Sequence, residues 1–318
     1  MPSAGLTRLD DGITAIDTEY ARPLQDASHL IVEKGRAAFV DTGVNDSVPL
    51  LLDALSQHDL DAGDVDYVLL THIHLDHAGG AGQLMQRLPN ATCVVHPRGA
   101  PHMVNPEKII AGTEAVYGAE RSRKLYGTIV PIDADRIVEA ADGGWIDLNG
   151  RALQTLYTEG HARHHYVLYD PASRGVFTGD SFGISYRELD TPNGEFIFPT
   201  STPIDFDPDA AHAACDRILG LEPDYAYLTH YSRVSDLERL AGDMHECIDA
   251  YRAMAIACAK ESDRQKALEA RMFEFLATRL EAHGFAGDRD AMWSVLNIDV
   301  VLNAQGLVVW LDRGGAAK

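Results

Sequence analysis

From Ile13 to about His230, short β-branched runs broken by Gly, Pro and Asp alternate with stretches whose apolar residues recur every three or four positions. Runs of the first kind read as strands and those of the second as helix faces, so the pattern predicts an α/β domain. Strands are predicted at 13–18, 29–32, 37–41, 67–71, 92–95, 153–157, 166–169, 175–178 and 225–229, and helices at 48–57, 78–88, around 113–125 and at 208–219. The character changes after Ser235. Leu237, Leu240, Met244, Cys247, Ile248, Tyr251, Met254 and Cys258 share one helix face, and Leu268, Met272, Leu276 and Leu280 repeat it before Gly284. The expectation is an α/β domain over 1–234 and a helical C-terminal extension over 235–318.

Two patterns occur twice in the same order. Asp66-Tyr-Val-Leu-Leu-Thr-His72 returns as Asp224-Tyr-Ala-Tyr-Leu-Thr-His230, and His29-Leu-Ile-Val followed by Phe-Val-Asp-Thr-Gly43 returns as His165-Tyr-Val-Leu followed by Val-Phe-Thr-Gly-Asp180. Such a double match implies two similar halves whose strand ends meet at one rim. In α/β sheets that rim is where ligands bind.

Composition narrows the functions. With 27 Lys+Arg against 48 Asp+Glu the net charge is −21, and the densest basic stretch is Arg121-Ser-Arg-Lys124. Phosphate backbones require clustered cations, so no nucleic-acid partner is expected. No 18-residue apolar run is read, so no membrane association is expected. The first ten residues lack a basic region followed by an apolar stretch, which gives a cytoplasmic expectation. Cys93, Cys215, Cys247 and Cys258 are widely spaced and read as reduced core thiols.

The chemistry is concentrated in Thr71-His-Ile-His-Leu-Asp-His-Ala-Gly-Gly80, which holds three imidazoles and a carboxylate within six residues after an apolar strand. Imidazole nitrogen and carboxylate oxygen are donors for zinc or iron, at about 2.0–2.2 Å. If the pleat persists, His72 and His74 point one way, and the turn carries Asp76 and His77 beside them. His161, Asp180 and His230 each follow a predicted strand and complete a set of seven candidate ligands. His96, His164, His212, His245 and His283 read as core or surface residues.

The blocks His72-x-His74-x-Asp76-His77, Gly160-His161, Thr178-Gly-Asp180 and Thr229-His230 resemble the metallo-β-lactamase-fold hydrolase superfamily over about 13–232. The resemblance implies a four-layer αββα sandwich. It also implies two divalent metal ions, one held by His72, His74 and His161 and the other by Asp76, His77 and His230, with Asp180 bridging them. Asp41 matches the superfamily's early aspartate, a supporting residue rather than a ligand. His29 and His165 are repeat-equivalent and read as further supports. The implied activity is hydrolysis by a metal-bridging hydroxide, with Asp76 and Asp180 as catalytic carboxylates and zinc as the metal; iron or manganese fit the same donors.

True β-lactamases of the superfamily use a cysteine ligand and are exported, and neither feature is read here. The ligand pattern is similar to glyoxalase II and the lactonases, although Gly160-His-Ala-Arg-His-His165 lacks glyoxalase II's inner glycine. A small ester, thioester, lactone or phosphoester is the expected substrate. The alternatives are a mononuclear iron oxygenase of thiols or persulfides, and a metal-dependent binding protein without turnover. Tyr186, Phe196 and Phe198, in the long aperiodic stretch 183–207, and Tyr117, in a segment reading as a cap, are the candidate substrate residues. The tail contacts the pocket, supports the outer layer or forms a homodimer.

Overall fold

The computed structural model describes residues 5–201 and 205–315. Residues 202–204 of the 183–207 stretch, the first four residues of the chain and residues 316–318 of the expected extension therefore lie outside the described residues. The chain forms two compact units. One takes the chain up to Tyr157, then His164–Gly179 and Pro223–Arg233; the other takes Thr158–Arg163, Asp180–Glu222 and the chain from Val234 onward.

The first unit contains β1 (Leu6–Arg8), β2 (Ile13–Asp17), β3 (Ala27–Glu33), β4 (Arg36–Val40), α1 (Val48–Ser56), β5 (Val65–Leu69), α2 (Leu75–Ala78), α3 (Ala81–Arg87), β6 (Thr92–Val95), α4 (Ala100–Val104), α5 (Glu107–Tyr117), α6 (Ala119–Tyr126) and β7 (Ile137–Glu139). Strands β1 to β7 form one sheet in sequence order, antiparallel through β4 and parallel from β4 to β7. A second sheet runs β8 (Trp145–Leu148), β9 (Arg151–Tyr157), β10 (Tyr166–Asp170), β11 (Gly175–Gly179), β12 (Tyr225–Leu228) and β13 (Ser232–Val234), with β11 parallel to β12.

Alternation along the central strands explains why both faces of the first sheet are buried. Phe39 and Val68 point to one side and pack with Val48, Leu51, Leu55, Leu84 and Met85 of the helices. Ala38, Val40 and Leu69 point to the other and pack with Leu153, Leu168, Phe177 and Tyr227 of the second sheet. A strand covered on both faces reads as a continuous apolar run, as Ala37-Ala-Phe-Val40 does.

The second unit holds α7 (Pro208–Leu219), α8 (Leu237–Cys258), α9 (Arg264–Ala282) and α10 (Arg289–Asp312). Asp207 caps α7 by accepting from the backbone N–H groups of Asp209 and Ala210, and Asp263 and Asp288 cap α9 and α10 in the same manner. The architecture is an αβ/βα-type sandwich of two mixed sheets flanked by helices, with α8 to α10 as additional C-terminal helices.

Three details depart from the sequence expectation. The helix expected at 78–88 is α3 and begins only at Ala81, because Ala78 closes the separate turn α2 and Gly79-Gly80 joins the two; a Cβ on Gly80 would lie 2.6 Å from the Val44 carbonyl oxygen, so only glycine allows that approach. The helix expected around 113–125 breaks at Gly118, whose φ is +79°. Finally, α10 is long and apolar enough to cross a membrane by length and composition, contrary to the reading that no such run exists; 44% of its apolar window is buried inside the protein. Its apolar residues lie nearly all round, so no stripe marked it.

Candidate metal centre

In the first unit the candidate ligands follow the ends of parallel strands. After β5 the chain continues through Thr71 to His72 and His74, whose ring nitrogens Nε2 and Nδ1 face each other at 2.9 Å. The single turn α2 then presents Asp76 and His77. Thr42 fastens this turn, its backbone N–H and its hydroxyl both donating to the His77 carbonyl, at 2.7 and 2.9 Å.

Two histidines are oriented by buried carboxylates. His77 Nδ1 donates to Asp41 Oδ2 at 2.8 Å, and Asp41 also accepts from the Thr71 N–H at 2.8 Å, from the Thr71 hydroxyl and from the Thr229 hydroxyl at 2.9 Å. Asp41 reaches this position with φ +57°, a left-handed conformation that aspartate tolerates. His230 Nδ1 lies 2.8 Å from Asp26 Oδ1, and burial pushes the Asp26 carboxyl up to about 6 against the opposing pull of His230. A carboxylate only accepts, so Nδ1 carries the proton on both rings and Nε2 carries the lone pair. Both Nε2 atoms lie 3.8 Å from Asp76 Oδ2, and the donor atoms of Asp76, His77 and His230 fall within 4.8 Å of one another. Asp76 is the partly exposed member, its side chain 24% accessible.

Further rings close around His72. His165 stacks on it at 4.8 Å, and His164, which carried no role in the sequence, stacks at 6.1 Å and meets His74 edge-on at 5.4 Å. Gly179 is required beside them, since a Cβ there would lie 2.6 Å from both His165 Nε2 and Thr71 Oγ1. His29 sits in the sandwich interior against Phe177 and Tyr227, where burial lowers its pKa to about 4 despite the charge of Asp41. Tyr20 and Tyr126 share a hydroxyl contact of 2.8 Å, with Tyr117 6.1 Å from Tyr126. Burial first, and then the negative charge of Asp76 among other groups, raises the pKa of Tyr20. This phenol cluster therefore lies within the electrostatic reach of Asp76.

In the second unit His161 Nε2 lies 3.3 Å from Asp180 Oδ2, both buried, and His161 Nδ1 faces the Thr200 carbonyl oxygen at 3.4 Å. Thr200 belongs to a strap clamped by α10. Asn303 Oδ1 accepts the Ser201 N–H at 2.6 Å, Asn303 Nδ2 donates to the Pro199 carbonyl at 3.1 Å, and the Ser201 hydroxyl donates to the Asn303 carbonyl at 3.0 Å. A crevice here is lined by Glu159, His161, Asp180, Thr200, Phe206 and Met244. Tyr186 is buried with its hydroxyl donating to Asp299 at 3.3 Å, and Phe198 and Phe196 pack in sequence beside it.

Sequence reasoning missed Asp26, Tyr20, His164 and Asn303. Asp26 precedes a buried strand and belongs to no repeated block, and Asn303 lies in the helix without a stripe. The described residues thus contain clustered His and Asp side chains that form candidate dinuclear metal sites. Their donor set, neutral imidazole nitrogens with carboxylate oxygens, fits divalent zinc, iron or manganese.

Comparison with known proteins agrees. The chain is 29% identical over 209 residues to a metallo-beta-lactamase fold-containing protein of Sulfurisphaera tokodaii, covering 62% of this chain and 69% of the relative. The crystal structure of that archaeal protein superposes with a TM-score of 0.61 over 96% of this chain and 99% of its own, at 22% identity. A hydroxyacylglutathione hydrolase of Synechococcus is 29% identical over 150 residues, covering 47% of this chain and 45% of the relative. An endoribonuclease of Yarrowia lipolytica is 26% identical over 230 residues, covering 70% of this chain and 25% of the relative. The chain therefore spans less than half the length of these two enzymes. Residues 21–230 match the Metallo-beta-lactamase superfamily, and with its strand-end histidines and aspartates in that order, the chain belongs to this superfamily.

Proposed function

We propose that this chain is a dinuclear metal-dependent hydrolase of a small ester, thioester, lactone or phosphoester, with zinc as its metal. The observation that carries the reading is the pairing of His77 with Asp41 and of His230 with Asp26, which places both Nε2 lone pairs beside Asp76. Imidazoles whose other nitrogen is held by a carboxylate are oriented for metal binding. Within the first unit His72 and His74 are read as ligands of one ion and Asp76, His77 and His230 as those of the other; His161 and Asp180 keep the ligand roles that the sequence resemblance implies. When bound, such a pair supplies hydroxide near neutral pH and polarises the oxygen of the scissile group.

The remaining chemistry belongs to the chain. Asp76, partly open to solvent, is placed to hold the attacking water or to pass a proton to the leaving group. Tyr117, partly exposed beside the buried Tyr20–Tyr126 pair, is placed to contact an apolar acyl portion. The similarity to a hydroxyacylglutathione hydrolase favours a thioester. A net charge of −21 disfavours a nucleic-acid or anionic-membrane partner. Four free, buried cysteines suit the cytoplasm.

The test is metal analysis of protein purified without added metal, followed by thioester, lactone, phosphodiester and RNA substrates on that preparation. Two zinc held by the strand-end residues, with hydrolysis of a small acyl substrate, is expected. One iron with oxygen uptake on a persulfide, or cleavage of RNA alone, would replace this reading.

A further inference from the structure

Helices α7 and α8 each carry a histidine and an aspartate four residues apart, His212 with Asp216 and His245 with Asp249. That spacing puts both side chains on one helix face. Each imidazole reaches the carboxylate of the other helix: His212 Nε2 lies 3.1 Å from Asp249 Oδ1, and His245 Nε2 lies 3.2 Å from Asp216 Oδ1. Carboxylates only accept, so both Nε2 atoms carry hydrogen and the lone pairs reside on Nδ1. The two Nδ1 atoms face each other at 2.6 Å, with ring planes within 12° and centroids 4.9 Å apart. That centroid distance is the N···N gap plus a ring radius on each side, so the rings lie edge to edge with lone pairs head-on. Such an arrangement repels unless a cation lies between them.

We propose that His212 and His245 form a second metal site, separate from the strand-end centre, for a divalent ion that prefers imidazole, such as zinc, nickel or copper. Asp216 and Asp249 hold the rings from behind, as carboxylates hold metal-ligating histidines elsewhere, and their charges offset that of the ion. A tetrahedral ion with bonds of about 2.0–2.1 Å needs its nitrogens about 3.3 Å apart. The half-buried side chains, 24% and 31% accessible, supply that opening by torsion. The strand-end centre shows the same feature, since His72 and His74 also present facing nitrogens closer than this, at 2.9 Å. The competing occupant is one proton shared between the Nδ1 atoms. Metal must displace it to water, so binding releases a proton.

Equilibrium dialysis of the full chain against Ni2+, with bound nickel counted per chain, tests the site without using activity. The wild type should bind one equivalent more than His212→Gln/His245→Gln, at equal thermal stability without nickel and with hydrolysis unchanged. Asp216→Asn/Asp249→Asn keeps both imidazoles and should weaken that extra equivalent by about 10–100-fold. Should the Gln variant melt early, each single His→Gln variant should still lose the equivalent. Equal nickel counts in the wild type and the folded His variants would overturn the proposal and leave a shared proton as the occupant.

Discussion

The two halves of the sandwich repeat one scaffold and differ at its tip. In the first, β3 runs antiparallel to β4 and β4 parallel to β5; in the second, β10, β11 and β12 do the same. Even the outer ion pairs correspond, Arg36 with Asp66 and Arg174 with Asp224. At the other end of the strands the halves diverge. The first follows its strand with His72, His74 and a helical turn bearing Asp76 and His77, and keeps Asp41 as a buried support. The second offers His230, whose carboxylate support, Asp26, comes from the residue just before β3 in the first half. Repetition thus builds the frame, and the chemistry comes from what each half adds after its strand.

Substitutions at the tips should break this comparison most strongly. Asp76→Ala should lower kcat by about 10²–10⁴-fold while the melting temperature stays nearly unchanged, because the side chain is partly exposed. Unchanged turnover would remove its role. Asp41 and Asp26 then separate support of the fold from support of the metal. Asp41→Ala breaks a buried network that also holds Thr71 and Thr229 and should cost about 3–5 kcal/mol in denaturant melts. Asp26→Ala should cost clearly less stability yet weaken metal binding by about 10–100-fold, read by chelator competition. Equal stability losses would mean that the two supports are not different in kind.

His29 sharpens the comparison through pH. Unfolded histidine titrates near 6.5, whereas buried His29 is held at about 4 in the fold, so the unfolded chain takes up a proton that the folded chain refuses. Its contribution is complete above about pH 6.5 and is lost as pH falls towards 4, by up to about 3 kcal/mol. Melts of metal-free protein across that range should show the slope, and His29→Gln should flatten it. Asn303→Ala should loosen the Thr200 strap behind His161 and reduce metal affinity about tenfold. At the outer ends, Arg36→Ala should cost about 1 kcal/mol and Arg174→Ala, at the more exposed pair, nothing measurable.

Much of this was legible because it is local. Periodicity placed the principal strands, and α7 matches its predicted bounds, since Asp207 and Pro208 are a cap and first turn that the sequence displays openly. The His72–His77 cluster was legible because four donors in six residues have no structural use apart. What escaped was whatever depends on a distant segment. Asp26 gains its meaning only when β3 brings it to His230. Tyr20 meets Tyr126 across more than a hundred residues, and α10, apolar nearly all round, offered no stripe to read. The breaks at Gly79-Gly80 and Gly118 escaped because neither interrupts the apolar spacing.

Anomalous diffraction at the zinc edge, from crystals of the protein as isolated, tests the central claim most directly. The account predicts one peak beside Asp76, His77 and His230 and a second beside His72 and His74, about 3.5–4 Å apart. A single peak, or none at these side chains, would contradict it.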